Sequence, residues 1–460
     1  MSDASASWTT SRNTLIASLR VGDHRGDVCF EASGASLEPS PDALIPLVLP
    51  LAMRAGVPVQ LPTEISPRLR SAVPSVEALL HGWFPDRFRR VDVQVRPGEE
   101  RRPASSRTAC FFTGGLDSFC EVVRLRGHLD DLIYVQGFDV PPGDDARARD
   151  AKRAIRTAAA ELDLPLVKVD TDLRAFSDSF LTWEEYHGAA LSAVALMLGR
   201  HYSRVLIASS HGALDLSPWG SHPVLDPLWS TDRVEIVHSG YGLTRIDKAW
   251  IASTNDVALR WMRVCYLPPE GTINCGVCEK CLRTAVNLRA VGALERCQTL
   301  PHEIRPEQLS SLELDPGSQA RWQLNLDALR ERGDAPELTE AIEAALQRLA
   351  GQHAGDGTSS EDRLDRGSRG PASGPTGGRF GIRHVRRLLL RLLGPYIASQ
   401  GRRDSERVAE LAQLRDELER EREARRFLLS ELERRELAHH PSVGPPSARR
   451  RSISNRYEDT

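Results

Sequence analysis

Short apolar segments alternate with helical segments between residues 108 and 250, and this alternation is the strongest constraint on the fold. The segments ACFFTG, DLIYVQGF, PLVKVD, RVLIASS and RVEIVHS are rich in residues that favour strands. Helical patterns such as DARARDAKRAIRTAAAELD lie between them. Strand–helix–strand alternation is typical of a parallel sheet with helices on both faces. The sequence therefore predicts an α/β fold with a doubly wound parallel sheet.

The chain on either side of this region divides by composition. Residues 1–12 predict a polar tail, and residues 13–104 predict a small N-terminal α/β domain. Within that domain, DVCFEAS, VPVQLP and VDVQVRP predict strands, and ALIPLVLPLAMRAG predicts a helix that ends at a glycine. The sheet domain is expected to occupy residues 105–300. Residues 301–350 predict a polar helical extension to which no chemistry is assigned.

The sequence of residues 351–460 predicts little globular structure. Residues 351–378 are rich in Gly, Ser, Pro and charge, which is typical of a disordered linker. Residues 379–440 begin with a basic amphipathic segment that could contact a protein partner or a membrane surface. Their leucines then fit an interrupted heptad pattern, so a short coiled coil and a solvated single helix both remain open. A disordered tail is expected at 441–460.

Overall composition limits the functional classes. The formal net charge is −3, so no global field favours nucleic acid, and nucleic-acid binding is not expected. No apolar run is long enough to span a bilayer, and the N-terminus lacks an apolar signal core. Four of the eight cysteines crowd together, which indicates metal binding in a reducing compartment. The expected location is cytoplasmic.

The stretch TGGLDS at 113–118 follows an apolar strand and opens a helix. A glycine pair permits positive φ and lets backbone N–H groups approach an anion, while a helix N-terminus adds partial positive charge. This pattern predicts a phosphate site. The alternative is that Asp117 or Ser118 only caps the helix, since Ser118 and Glu121 have the spacing of a capping box.

The stretch CYLPPEGTINCGVCEKC at 265–281 contains two overlapping C-x2-C turns and a further cysteine upstream. Four convergent thiolates favour Zn²⁺ in a closed structural site. An iron–sulfur cluster and redox disulfide chemistry are the alternatives. The predicted ligands are Cys265, Cys275, Cys278 and Cys281. The other cysteines are interpreted as core or incidental residues.

The first of these motifs resembles the SGGxDS signature of the PP-loop ATP pyrophosphatases. That resemblance implies an adenine nucleotide alpha hydrolase-like sheet, ATP cleaved between its α and β phosphates, and Mg²⁺ at the phosphates. A threonine stands where serine is usual. Asp139, at the next strand end, is assigned to the same nucleotide site. The residues that would bind the nucleotide through the turn are Thr113, Gly114, Gly115, Leu116, Asp117 and Ser118.

The two motifs in this order resemble the 7-cyano-7-deazaguanine synthase family. That family uses ATP and ammonia to convert a carboxylate into a nitrile through an adenylate and an amide, and its zinc is structural. Asp215 matches an acid of the family, and His187 opens a helix near the expected substrate, although such a histidine is more often a cap or surface group. The implied catalytic residues are Asp117, Ser118, His187 and Asp215.

Three functional hypotheses follow from the resemblance. The first is an ATP-dependent ligase that adenylates and amidates a small-molecule carboxylate, a deazapurine being one candidate, with release of AMP and pyrophosphate. The second is a PP-loop enzyme that transfers sulfur or an amine to tRNA. The third is a non-catalytic nucleotide-binding sensor or scaffold.

Overall fold

The computed structural model describes residues 3–11, 14–140, 145–212, 216–266, 268–314 and 318–356. The chain divides into two compact units, Met1–Asp404 and Ser405–Thr460, and every described residue belongs to the first unit. Asp215, the basic segment and coiled coil expected at 379–440, and the tail at 441–460 lie outside the described residues. The predictions made for them stay predictions.

Ten strands of the described chain form one sheet, and most of the neighbouring pairs are parallel. The order across the sheet is β10-β9-β6-β7-β8-β3-β2-β1-β4-β5. The strands are β1 (Ala4–Ser11), β2 (Thr14–Val21), β3 (His24–Ser33), β4 (Val59–Ile65), β5 (Val93–Pro97), β6 (Thr108–Phe111), β7 (Asp131–Gln136), β8 (Leu166–Thr171), β9 (Arg204–Ala208) and β10 (Glu235–Ser239).

The α-helices of the described chain lie between and after these strands. None of them is long and apolar enough to cross a bilayer. They are α1 (Leu44–Ala55), α2 (Pro67–Trp83), α3 (Leu116–Arg124), α4 (Asp145–Glu161), α5 (Leu173–Ser177), α6 (Trp183–Met197), α7 (Arg245–Ser253), α8 (Asp256–Trp261), α9 (Glu279–Ala290), α10 (Pro306–Ser310), α11 (Gln319–Arg332) and α12 (Pro336–Asp356).

The section β10-β9-β6-β7-β8 is wholly parallel, and each of its strands was predicted from an apolar run. Cys110 of β6 lies between Leu132 of β7 and Leu206 of β9. The chain proceeds from β6 to one side through β7 and β8, then returns to the other side with β9 and β10. The strand order therefore reverses at β6, and ligands in open α/β sheets bind beyond the carboxyl ends of the strands at such a point.

The N-terminal strands continue the same sheet. β3 pairs antiparallel with β8, with Phe30 opposite Thr171. The backbone N–H of Cys29 donates to the Asp172 carboxylate just beyond β8, at 2.8 Å. The sheet therefore runs without a break across the boundary expected near residue 104. The prediction of a polar tail at 1–12 is wrong, because Ala4–Ser11 is a strand paired with β2.

Two apolar cores cover opposite faces of the parallel section. One face packs against α1, α2 and α6, and the other packs against α3, α4, α7, α8, α9 and the helical extension. This two-sided cover confirms the α/β class, while the finer assignment to the adenine nucleotide hydrolase-like fold stays a prediction. The extension predicted at 301–350 is helical, and α12 continues to Asp356, into the predicted linker.

Candidate phosphate site and candidate metal centre

The chain turns sharply between β6 and α3. Gly114 has a φ of 73°, in the left-handed region that favours glycine. Gly115 is the N-cap of α3, and no side chain among the described residues caps this helix. The Ser118 hydroxyl donates instead to the Gly115 carbonyl oxygen, at 3.0 Å. The alternative that Asp117 or Ser118 only caps the helix is therefore wrong, and the first turn of α3 keeps its backbone donors for another partner.

Glu121 does not form the capping box that its spacing suggested. Its side chain is buried and forms an ion pair with Arg124 at 2.7 Å. The Ser239 hydroxyl donates to the same carboxylate at 2.5 Å. Glu121 therefore ties α3 to the end of β10 and has a structural role.

The Asp117 carboxylate lies between two cations of α7. Arg245 donates to both of its oxygens at 2.9 and 3.0 Å, and the Lys248 ammonium is 3.3 Å away. Burial favours a higher pKa for Asp117, but Arg245 and Lys248 outweigh it and hold the pKa below its usual range. Lys248 also donates to the Ser209 carbonyl oxygen at the end of β9. These contacts join the carboxyl ends of β6 and β9.

Arg263 brings two more of the predicted residues together. Its backbone N–H donates to the Gly114 carbonyl oxygen at 2.7 Å. Its Nη1 is 3.4 Å from both the Thr113 carbonyl oxygen and the Asp139 carboxylate. The side chain is only 6% exposed, and its Nη2 has no hydrogen-bond partner within the described chain. A buried guanidinium group with an unused donor is an expected contact for an anion.

Further cations approach from α9 and α11, and the sequence analysis missed them. Burial, followed by the charges of neighbouring cations, lowers the pKa of Lys280 to about 8 and that of Arg283 to about 10. Arg283 interacts electrostatically with Arg245, Asp117 and also Arg321 of α11. The basic residues inside and just after the cysteine motif were the available signal for Lys280 and Arg283. No local pattern identified Arg321.

His187 lies in the first turns of α6. Its Nδ1 is 3.2 Å from the Trp183 carbonyl oxygen, and its ring packs beside Trp183 and Trp219. Burial lowers its pKa. Trp183 in turn contacts Phe138, which precedes Asp139. His187 therefore belongs to an aromatic cluster near the turn, and its catalytic role stays a prediction.

A buried polar network lies beside this cluster. Asp226 is fully buried and accepts hydrogen bonds from the Ser221 hydroxyl at 2.6 Å and from the backbone N–H of His222 at 3.2 Å. The Asp226 carboxylate is also 2.8 Å from Nδ1 of His238. Ser221 and His238 therefore share one carboxylate. In a Ser-His-Asp triad the serine would instead contact the second ring nitrogen of the histidine, so the arrangement is a structural network.

His222 should make the protein less stable in acid. Its Nδ1 accepts a hydrogen bond from the backbone N–H of Val224 at 3.2 Å, and burial, followed by the charge of His238, lowers its pKa to about 4. An unfolded histidine has a pKa of about 6.5, so the unfolded chain binds more protons between these values. The free energy of unfolding should therefore decrease by roughly 1–2 kcal/mol for this group as the pH falls from 7 to 5, after a discount for partial exposure.

Denaturant unfolding at both pH values checks this expectation. His222→Gln should lose less stability on acidification than the native sequence, whereas His128→Gln, at an exposed position, should behave like it. If all three proteins lost the same free energy of unfolding between pH 7 and pH 5, the pKa of His222 would not be lowered in the folded protein, and the expectation would be wrong.

The four predicted ligand cysteines converge. Their sulfurs all lie within 4.8 Å of one another. The Sγ atoms of Cys275 and Cys281 are 3.8 Å apart, and those of Cys265 and Cys278 are also 3.8 Å apart. Bonds of about 2.3 Å to one tetrahedral ion would place thiolates about 3.8 Å apart. These separations exclude disulfides in this structure, and they suit a single ion such as Zn²⁺ better than a larger cluster of irons.

Local backbone geometry prepares this site. Gly276 has a φ of 75°, and the turn it makes lets the backbone N–H of Cys278 donate to the Cys275 sulfur at 3.3 Å. Asn274, which the sequence analysis did not single out, accepts from the backbone N–H groups of Val264 and Cys265. Its amide therefore holds the two halves of the cysteine loop together, as outer groups commonly do at metal sites.

The fold and the two sites define the class of the protein. It is a mixed α/β protein with a mostly parallel sheet and a cysteine cluster that can hold a metal ion such as zinc. No family model, no curated protein and no solved structure matches this chain. The resemblance to PP-loop enzymes therefore depends on the residues of the two motifs.

Proposed function

We propose that the protein binds ATP at the turn between β6 and α3 and uses it to adenylate a carboxylate. The observation that carries the proposal is the convergence of cations on this turn. Arg245, Lys248 and Arg263 surround an uncapped helix start at the point where the strand order reverses. Polyphosphate is the ligand whose charge such a group of cations would balance.

The proposed chemistry follows the PP-loop resemblance. A carboxylate oxygen of the acceptor attacks the α-phosphorus, the bond between that phosphorus and the bridging oxygen breaks, and pyrophosphate leaves with the electron pair. Ammonia then attacks the acyl carbon and loses a proton, and AMP leaves with the bonding electrons. The residues around the turn would position ATP and balance the charge that develops on the leaving phosphates.

The metal centre would have a structural role in this proposal. Four thiolates at tetrahedral separations leave no open position for a substrate. Zn²⁺ held there would fix the loop that carries Arg263 on one side and α9 on the other.

Mg²⁺ at the phosphates remains part of the proposal. Asp117 and Asp139, the acids assigned to the nucleotide site, both contact guanidinium groups here.

Asp117→Asn tests the site. The substitution keeps the shape of the side chain and removes the charge that orients Arg245 and Lys248, so AMP formation should decrease by about 100-fold or more. The measurement is AMP release from ATP in the presence of ammonia and candidate carboxylates. Asp256→Asn is the matched control, because Asp256 forms an exposed ion pair with Arg296. Unchanged AMP formation in Asp117→Asn would contradict the assignment.

A nucleotide-binding sensor is the second candidate. The observation that favours it is that Asp117 and Asp139 are ion-paired with arginines, an arrangement that competes with Mg²⁺ binding. Calorimetry and product analysis on the same samples separate the two functions. ATP binding without AMP release, across the carboxylates tested, would favour the sensor.

A further inference from the structure

We propose that Tyr266, which follows the first cysteine ligand, stacks against the adenine base of the bound nucleotide. This inference rests on the proposed function and deepens it by assigning the base of ATP to the cysteine loop, while the phosphates lie at the turn between β6 and α3. Tyr266 belongs neither to that turn nor to the metal ligands, and the sequence analysis assigned it no role.

Tyr266 is an exposed aromatic residue with one face of its ring covered. It is 52% exposed, and Val277 is the only other large hydrophobic residue of the described chain that is exposed. The Lys280 ammonium lies 3.2 Å from the centre of the Tyr266 ring, in a cation–π contact. Since this cation occupies one face, the exposed surface of the ring lies on the other face and at its rim. An open aromatic face is available for stacking by a planar ligand.

A short stretch of chain connects Tyr266 to the phosphate turn. The backbone N–H of Arg263 donates to the Gly114 carbonyl oxygen at 2.7 Å, so the backbone of Arg263 touches the turn. Three residues of fully extended chain span about 11 Å at most, which limits the distance between the Cα atoms of Arg263 and Tyr266. The Asn274 amide oxygen accepts from the backbone N–H of Cys265 at 3.0 Å and holds this stretch in place. Tyr266 therefore stays within the length of a nucleotide from the turn.

Tyr266 and Arg263 also line one small cavity between α4 and the cysteine loop. The buried Ala151 and Ala154 form its side on α4, and Ile273 contributes from the loop. The cavity is only about 10 Å³, which is room for one water molecule, so the base is expected on the open face of the Tyr266 ring. The lining still shows that apolar side chains surround the approach from Arg263 to Tyr266.

The order of these groups selects the base of a nucleotide as the ligand. Cations surround the turn, and Arg263 follows with a side chain that is 6% exposed and an Nη2 that has no partner within the described chain. The aromatic ring of Tyr266 comes last. ATP has the same order of charged phosphates, polar ribose and planar base. A ligand that places its phosphates at the turn therefore brings its base to the open face of Tyr266.

Calorimetry on the full-length protein tests the inference, with ATP, AMP and inorganic triphosphate as separate ligands. Tyr266→Leu keeps an apolar side chain but removes the ring, so the affinities for ATP and AMP should decrease by about 5- to 100-fold. Tyr266→Phe keeps the ring and should bind both nucleotides within about 2-fold of the native protein. The affinity for inorganic triphosphate, which has no base, should change by less than about 2-fold in both variants.

Val277→Ala is the matched control. Val277 is 60% exposed in the same loop and does not line the cavity with Tyr266. This variant should leave the affinities for all three ligands unchanged. Zinc content and thermal unfolding, measured on every variant, identify one that has lost the loop or the fold.

The two proposals fail in different ways. If the native protein binds neither ATP nor inorganic triphosphate, both the proposed function and this inference are wrong. If the native protein binds ATP and Tyr266→Leu binds it equally well, only this inference is wrong. The same holds if Tyr266→Leu loses inorganic triphosphate to the same extent as ATP, because the ring would then support the turn and not the base.

Fluorine NMR on protein labelled with fluorotyrosine decides the outcome if Tyr266→Leu loses its zinc. The resonance of Tyr266 is identified by its absence from Tyr266→Phe. It should shift when ATP or AMP is added, because a stacked base changes the magnetic environment of the ring, and it should stay in place with inorganic triphosphate. A resonance that does not respond to either nucleotide, in a protein that binds ATP, would overturn the inference.

Discussion

Cys278→Ser should reduce the bound zinc from about one ion per chain to nearly none. The Cys278 sulfur is 3.8 Å from that of Cys265, and its residue is the N-cap of α9. Structural zinc contributes apparent binding free energies of about 10–16 kcal/mol in small domains. Without the ion the loop at 265–281 should lose its structure, and the start of α9 should lose it as well. Metal analysis together with thermal unfolding measures both effects.

Cys29→Ser is the control for the loss of zinc. Cys29 is a half-buried cysteine of β3 outside the cluster, and its polar contact to Asp172 is made by the backbone. This variant should keep its zinc and its melting temperature within a few degrees. Stoichiometric zinc in Cys278→Ser, or an absence of zinc from the native protein, would contradict the assignment of a tetrathiolate zinc site.

Glu121→Ala should produce the largest loss of stability among substitutions near the turn. The side chains of Glu121 and Arg124 are 2% and 4% exposed. The Ser239 hydroxyl donates a hydrogen bond to the Glu121 carboxylate as well. Removing one partner of a buried ion pair typically costs about 3–5 kcal/mol. The turn would lose its support as well, because Glu121 connects α3 to β10. Denaturant unfolding gives the change directly.

Glu161→Ala is the matched control for Glu121→Ala. Glu161 pairs with Arg260 at 2.9 Å, but its side chain is 33% exposed and that of Arg260 is 40% exposed. Solvent screens such a pair, so its removal should cost no more than about 1 kcal/mol. If both variants lost the same stability, the burial of the Glu121 pair would have no energetic consequence, and the expectation would be wrong.

The strands could be predicted where they carry large apolar residues. The runs that form β6 to β10 are bounded by turn residues, and each contains buried apolar residues, so composition identifies them. Ala4–Ser11 consists of small and polar residues with one tryptophan, and its pattern resembled a tail. Its burial is decided by pairing with β2 and β4, which the residues of β1 do not specify.

The candidate sites could be predicted to different extents. The cysteine ligands lie within seventeen residues, so their spacing alone predicted that the sulfurs would converge. The partner of Asp117, in contrast, is Arg245, which is 128 residues away along the chain. Glu121 had the spacing of a capping partner, yet folding placed it against Arg124 and Ser239. Interactions across many residues depend on how the helices pack, which no local pattern contains.

The sequence by itself determined the chemistry that a few neighbouring residues can perform: a glycine turn after a strand, a thiolate cluster, and the apolar runs of the parallel sheet. Only the tertiary structure decided that α7, α9 and α11 bring their cations to that turn, and that the N-terminal strands extend the sheet. The physical reason is that backbone propensity acts between neighbours in the chain. Electrostatic attraction and burial instead depend on distance in space, which exists only once the chain has folded.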